Sequence, residues 1–232
     1  LVRQMRYNGV LLGDMGLNGV YLPNADASHY VDGIITKDGE EIILLSGRYH
    51  EVRGQGRMEG EASLQRVPFA LLNAFMSEAP IALDGYAWGD FTVSGNTDNP
   101  VLNGELRTDS LRIKAESYSV NLQIPDHSVT VKDSRLELNS IEAYAAGKTP
   151  LTLDGSIDFS DLGRVQLDMR VGARNYQLIS APKRQGSLAY GKVFVNLGGR
   201  LWGTPSDLKV RGRLDVLGST DVSVVLADTP LT

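Results

Sequence analysis

Tyr118-Ser119-Val120-Asn121-Leu122-Gln123-Ile124 places an apolar side chain at every second position, with polar residues between them. Successive side chains on a strand point to opposite faces, so this stretch reads as a strand with one greasy side and one wet side. Val165, Leu167, Met169 and Val171 alternate in the same way with Gln166, Asp168 and Arg170. Leu208, Val210, Leu214 and Val216 do so against Lys209, Arg211, Arg213 and Asp215. From Ile81 to Leu226 the chain is a succession of such stretches, and the fold class is all-β.

The composition agrees. In 232 residues there are 25 glycines and 9 prolines, which suits a chain that turns often. That length can bury a sizeable core as one large β domain or two smaller ones. A formal charge of −5 argues against a nucleic-acid partner. Arg107, Arg112, Lys114, Arg211 and Arg213 fall on the polar side of their strands with acids nearby, as on a solvated sheet face. There is no cysteine, hence no disulfide and no thiolate chemistry. The chain opens on Leu1 without a basic-then-apolar leader, and we expect it to be a piece of a longer protein. No apolar run approaches the roughly 18 residues of a membrane span, so a soluble segment is expected.

Three segments are expected: 1–67 as an N-terminal β layer, 68–80 as a capping helix, and 81–232 as the main β segment. In the first, the candidate strands are residues 7–12, 16–22, 29–36, 41–46 and 49–64. Asp38-Gly39 between two apolar runs signals a hairpin turn. The helix is expected over 68–78. Pro68 suits a first helical position, Phe69, Leu72, Phe75 and Met76 follow helical spacing, only Asn73, Ser77 and Glu78 are clearly wet, and Pro80 stops it. Later strands are expected at 81–83, 86–95, 101–107, 110–116, 118–124, 129–131, 135–138, 151–159, 165–172, 192–201, 208–217 and 221–226. A glycine flanked two residues either side by apolar residues recurs at Gly104, Gly155 and Gly212, marking a bend or a close approach.

Chemistry-bearing residues form no constellation. Asp126-His127-Ser128 holds the three residue types of a hydrolytic triad, but neighbours in sequence point apart and a triad must converge. His29 and His50 lack partners at metal-ligand spacing. The glycines of 54–60 continue a strand where a phosphate loop would open a helix. Asp154 and Asp158 share the outer face of one strand. No catalytic residue, metal or cofactor is expected.

Ordered pieces from residue 50 onward resemble the C-terminal region of the TamB family, the translocation and assembly module among AsmA-like bridge proteins. The first is the apolar helix running into Leu83-Asp84-Gly85 and Phe91-Thr92-Val93-Ser94-Gly95. The second is Asn99-Pro100-Val101-Leu102-Asn103-Gly104-Glu105-Leu106. The third comprises Ala173-Arg174-Asn175-Tyr176-Gln177-Leu178, Tyr190-Gly191-Lys192-Val193, Leu208-Lys209-Val210-Arg211-Gly212 and Gly218-Ser219-Thr220-Asp221-Val222. The resemblance implies a long U-shaped sheet, a β-taco with an apolar groove. It implies a parent anchored in the inner membrane of a diderm bacterium and crossing the periplasm, whose C-terminus meets an outer-membrane barrel protein of the Omp85 class. Its role would be delivery of phospholipid or assembly of outer-membrane proteins.

On that reading Tyr118, Val120, Leu122, Ile124, Leu153, Ile157, Val165, Leu167, Met169, Val193, Val195, Val210 and Leu214 line the groove and meet phospholipid acyl chains. Phe69, Leu72, Phe75 and Met76 cap one end, and residues 1–67 form the N-terminal β layer of the groove. The rival is a compact β-sandwich binding glycan or a protein partner, for which exposed aromatics are wanted; Trp88 and Trp202 are the only tryptophans. A carbohydrate-active enzyme would need convergent acids.

Overall fold

The computed structural model describes residues 1–52, 54–74, 81–97, 99–115, 120–145, 147–161, 163–181, 189–205 and 207–224. Five strands, β1 (Val2–Tyr7), β2 (Val10–Pro23), β3 (Ser28–Lys37), β4 (Glu40–Val52) and β5 (Gln55–Pro68), precede a 3-10 helix at Phe69–Ala74. Five more follow it: β6 (Ala82–Asn96), β7 (Pro100–Ala115), β8 (Val120–Gln123), β9 (His127–Lys132) and β10 (Arg135–Ala143). The last are β11 (Leu151–Asp158), β12 (Gln166–Ala181), β13 (Ala189–Thr204), β14 (Asp207–Val216) and β15 (Asp221–Val224).

All lie in one 15-stranded antiparallel sheet. Pairing follows sequence order from β1 to β14, except that β8 and β9 both lie along β7 and β14 and β15 both lie along β13. Each of these short pairs is one strand line interrupted midway. β1 and β14 do not pair with each other, so the sheet stays open as a U-shaped half-barrel.

Local chemistry sets the hairpins. Asp38 and Gly39 have φ of 52° and 89°, the left-handed pair of a turn that matches strand twist. Gly54, with φ of 76°, turns the chain within residues 49–64. The single strand expected there is therefore the end of β4 and the start of β5. Its glycines follow strand alternation, but the alternation is shared by two strands.

The expected helix is also corrected. Pro68 is the last residue of β5, paired with Tyr86, and the described helical residues wind as a 3-10 helix. Strand pairing up to Pro68 overrides helical spacing. Asn73, read as wet, instead accepts from Leu83 N at 2.8 Å and donates to Leu83 O at 3.0 Å, which pins the helix to β6. Phe69 and Ala74 are buried, while Leu72 is 45 % exposed. Phe75 and Met76 lie outside the described residues.

The long strands bend. Register shifts interrupt the β1–β2, β3–β4, β5–β6, β6–β7, β10–β11 and β12–β13 pairings. Gln4, Arg66, Ser110, Ser140 and Asn175 adopt left-handed φ beside shifts of this kind. These are β-bulges, which kink a strand and increase its twist. Fully buried apolar residues collect beside them: Leu12, Ile42, Ala87, Ile124, Ile141, Ala143, Tyr176 and Val195. A second buried patch, Phe91 with Val129 and Val131, lies on one wall away from the shifts. The core is thus a ribbon along the bend plus this patch, with half-buried residues around them.

The accessible surface of 15534 Å² fits that shape. A compact chain of 25.2 kDa would expose about 10,300 Å². Solution scattering from the monomer should therefore give a radius of gyration above about 20 Å, against about 17 Å for a compact chain of this length.

Candidate functional site

Strand register settles which side chains share a face, because directly paired residues point the same way. One row of pairs runs Gly19, Gly33, Leu45, Ala62, Phe91, Gly104, Val131. It continues Leu136, Ile157, Leu167, Gly203, Leu208 without a break. Every member from β2 to β14 is glycine, alanine, aliphatic or phenylalanine. At about 4.8 Å between strands the row traces roughly 50 Å along the sheet. A second row, Leu138, Gly155, Met169, Leu201, Val210, runs beside it over the last strands.

Among the expected lining residues, Ile157, Leu167, Met169 and Val210 lie in these two rows. Leu122, Ile124 and Leu153 share one cluster with Leu106, Ile113, Ile141 and Ala143. Val195 pairs with Tyr176, and Val193 with Ile179, on the same side of the sheet. Burial is graded across it. Val195 is 0 % exposed at the bend, Leu153, Ile157, Val165, Leu167, Met169 and Val193 are half-buried, and Val210 and Leu214 on β14 are 68 % and 51 % exposed. Tyr118 lies outside the described residues. Val120 pairs with Ala115 through its backbone.

The sequence reading assigns residues 1–67 to the groove but names none of their lining side chains: Leu17, Ile35, Ile43, Leu45, Ala62 and Leu64, joined by direct pairing to Phe91 and Leu106 through Gly89. The signal was present as alternation in residues 29–46, but without the register nothing linked it to the later strands. Phe91 was missed as well. Its ring lies over Gly89 and Gly104, where an added Cβ would stand 2.7 and 2.8 Å from ring carbons. The recurring glycines at 104 and 155 both make room for a neighbouring strand's backbone carbonyl, of Asp90 and Asp168, and Gly104 for the Phe91 ring as well.

The opposite face is wet and ionic. Arg200 forks onto Asp168 at 2.7 and 2.8 Å, and this hydrogen bonding holds the Asp168 carboxyl below its ordinary range. Trp202 sits there too, with the Arg200 guanidinium 5.5 Å from its ring centre. Asp126, His127 and Ser128 do not converge. Asp126 accepts from Ser110 N at 3.0 Å, His127 is exposed, and Ser128 donates to Glu105. On the apolar side Tyr176 is 3 % exposed, and burial pushes its phenol pKa up.

Fold and surface together define an open, single-sheet β protein whose inner face is an apolar trough. Comparison with family models, curated proteins and solved structures finds no match for the chain.

The burial gradient has a mutational signature. Val195→Asp places an unpaired charge in the floor and should cost about 3 kcal/mol or more. Leu214→Asp on the exposed end strand should stay within about 1 kcal/mol. Urea unfolding midpoints compare the two; equal losses would mean that the end strand is as closed as the floor.

Proposed function

We propose that this chain is a non-enzymatic segment of a periplasm-spanning bridge of the TamB type, and that its trough carries phospholipid acyl chains between the two membranes. The observation that carries the reading is the unbroken apolar row from β2 to β14, which ends at both extremities in exposed apolar strands. Leu17 and Tyr21 are exposed on the inner side of β2, and Leu208, Val210, Leu214 and Val216 on that of β14. A path that delivers cargo must be open at its ends.

The physical chemistry suits acyl chains. Exposing a chain of about 15 methylenes to water costs on the order of 12 kcal/mol, at roughly 0.8 kcal/mol each. A continuous aliphatic floor lowers that barrier without binding any one position tightly, so the chain can slide. No catalytic group or cofactor is required. Assembly of outer-membrane proteins uses the same surface in this reading, since nascent barrel strands also present alternate apolar side chains. In the parent protein the cargo passes to an outer-membrane barrel protein of the Omp85 class. The single open sheet favours this trough over the glycan- or protein-binding sandwich, which needs two packed layers.

Leu167 is the site for a test because it is half-buried and central to the row. Leu167→Glu should leave the chain folded, since water reaches that position. It should weaken uptake of a fluorescent long-chain phospholipid by about tenfold or more, because a charge in the path repels acyl chains (about 1.4 kcal/mol). Unchanged uptake in the folded variant contradicts lipid conduction. Collapse of the fold shows instead that the position is sealed in a closed core.

A further inference from the structure

Where the strands bend, bulges free backbone N–H groups, and a polar side chain from a neighbouring strand or turn takes up each of a series of them. Gln4 N donates to Asp14 Oδ1 at 2.7 Å, and Asp14 N in turn to Asp38 Oδ1 at 2.7 Å. Ser110 N donates to Asp126 Oδ1 at 3.0 Å, and Ser140 N to Asp154 Oδ1 at 2.8 Å. Asn175 N donates to Asn196 Oδ1 at 2.8 Å, and Phe194 N to Thr220 Oγ1 at 3.0 Å. Gln4, Ser110, Ser140 and Asn175 have φ between 48° and 54°, a conformation that non-glycine residues hold only when something local supports it.

The capped positions form a line across the sheet. Between Asp38 and Ser110 it passes through the shifts at Ile35–Thr36, Leu64–Val67 and Asp84–Tyr86. A surface dip formed by Ile124, Pro125, His127, Ser140, Ile141 and Glu142 joins the Asp126 and Ser140 caps. The line ends where β14 gives way to β15 around Thr220. Asp154 and Asn196 belong to the wet face, paired with Arg170 and Asp215, while the buried apolar ribbon lies on the other. Apolar burial alone cannot set the angle, because it is non-directional and most wall residues are only half-buried. Directional hydrogen bonds at strained backbone positions can.

We infer that this line is the hinge of the trough, and that the side-chain caps on its outer face set the angle between the two walls and so the width of the groove. Loss of a cap leaves a bulge N–H to water and removes the support for the left-handed residue. The strand then relaxes toward extended geometry and the trough widens. The device works from the solvent side, away from any cargo, and holds whether the trough carries lipid or nothing at all.

The absence of cysteine allows a clean test. Gln166→Cys and Ser180→Cys put spin labels on the exposed face of β12, one either side of Asn175. At about 3.3 Å per residue the arms are about 30 and about 16 Å long, so a change of about 20° in the hinge moves the distance by about 4 Å. Distances by pulsed electron resonance are compared in two backgrounds. One combines Asp126→Ala, Asp154→Ala and Asn196→Ala; the other combines Asp126→Asn, Asp154→Asn and Asn196→Asp, which keep an acceptor oxygen. The alanine set should lengthen and broaden the distribution by about 4 Å or more; the acceptor-keeping set should match the parent. An unchanged distribution in the alanine set overturns the inference, as does equal widening in both. Should the triple alanine variant fail to fold, Asn196→Ala alone removes the cap nearest the labels. It should then move the distance in the same direction by a smaller amount, and a parental distribution in it overturns the inference as well.

Discussion

A sheet that is apolar on one face, with no second layer to lie against it, has to bury that face by curving onto itself. The depth of the curve decides how much each residue is covered. Here the curve is concentrated at a line of bulges, and coverage falls from that line, and from the Phe91–Val131 patch on one wall, toward half-open rims. The graded exposure from Val195 through Leu167 to Val210 follows from that one constraint. So does the wet outer face, where Asp168, Arg200 and the capping carboxylates remain in water and contribute little through charge alone. Glycine supports the same geometry. Phe91 over Gly104 fills the wall where a second aromatic or branched side chain would force the strands apart.

Fold class and the lining of the last strands were legible because alternation survives wherever strands are straight. It fails where they bend. An extra residue at a bulge flips the phase of the pattern, so β7 read as two strands divided at the bend near Ser110, and β6 as two divided at Gly85. β2 was divided around Gly13 and Asp14 for the same reason. Residues 173–181 were not read as strand at all, because Asn175 breaks the alternation that begins at Leu167. The gaps between the expected strands were therefore the crease itself, a feature with a sequence trace that alternation treats as absence of structure.

Other elements were illegible for different reasons. Helical spacing over 68–78 is real, yet the pairing of Pro68 with Tyr86 and the double hydrogen bond of Asn73 to Leu83 depend on a strand that comes later in the chain. A local window cannot contain them. The same holds for the caps. Asp154 and Asn196 look like ordinary solvated residues, and only the register shows that each reaches an N–H 14 or 21 positions away.

The central claim is that the inner face is an open path that meets acyl chains. A photo-crosslinking amino acid at position 167, on that face, compared with one at the adjacent position 166, on the wet face, tests it most directly in cells that make the protein. The account predicts phospholipid adducts from 167 and none above background from 166. Only protein adducts from 167, or equal lipid capture from both positions, would contradict it.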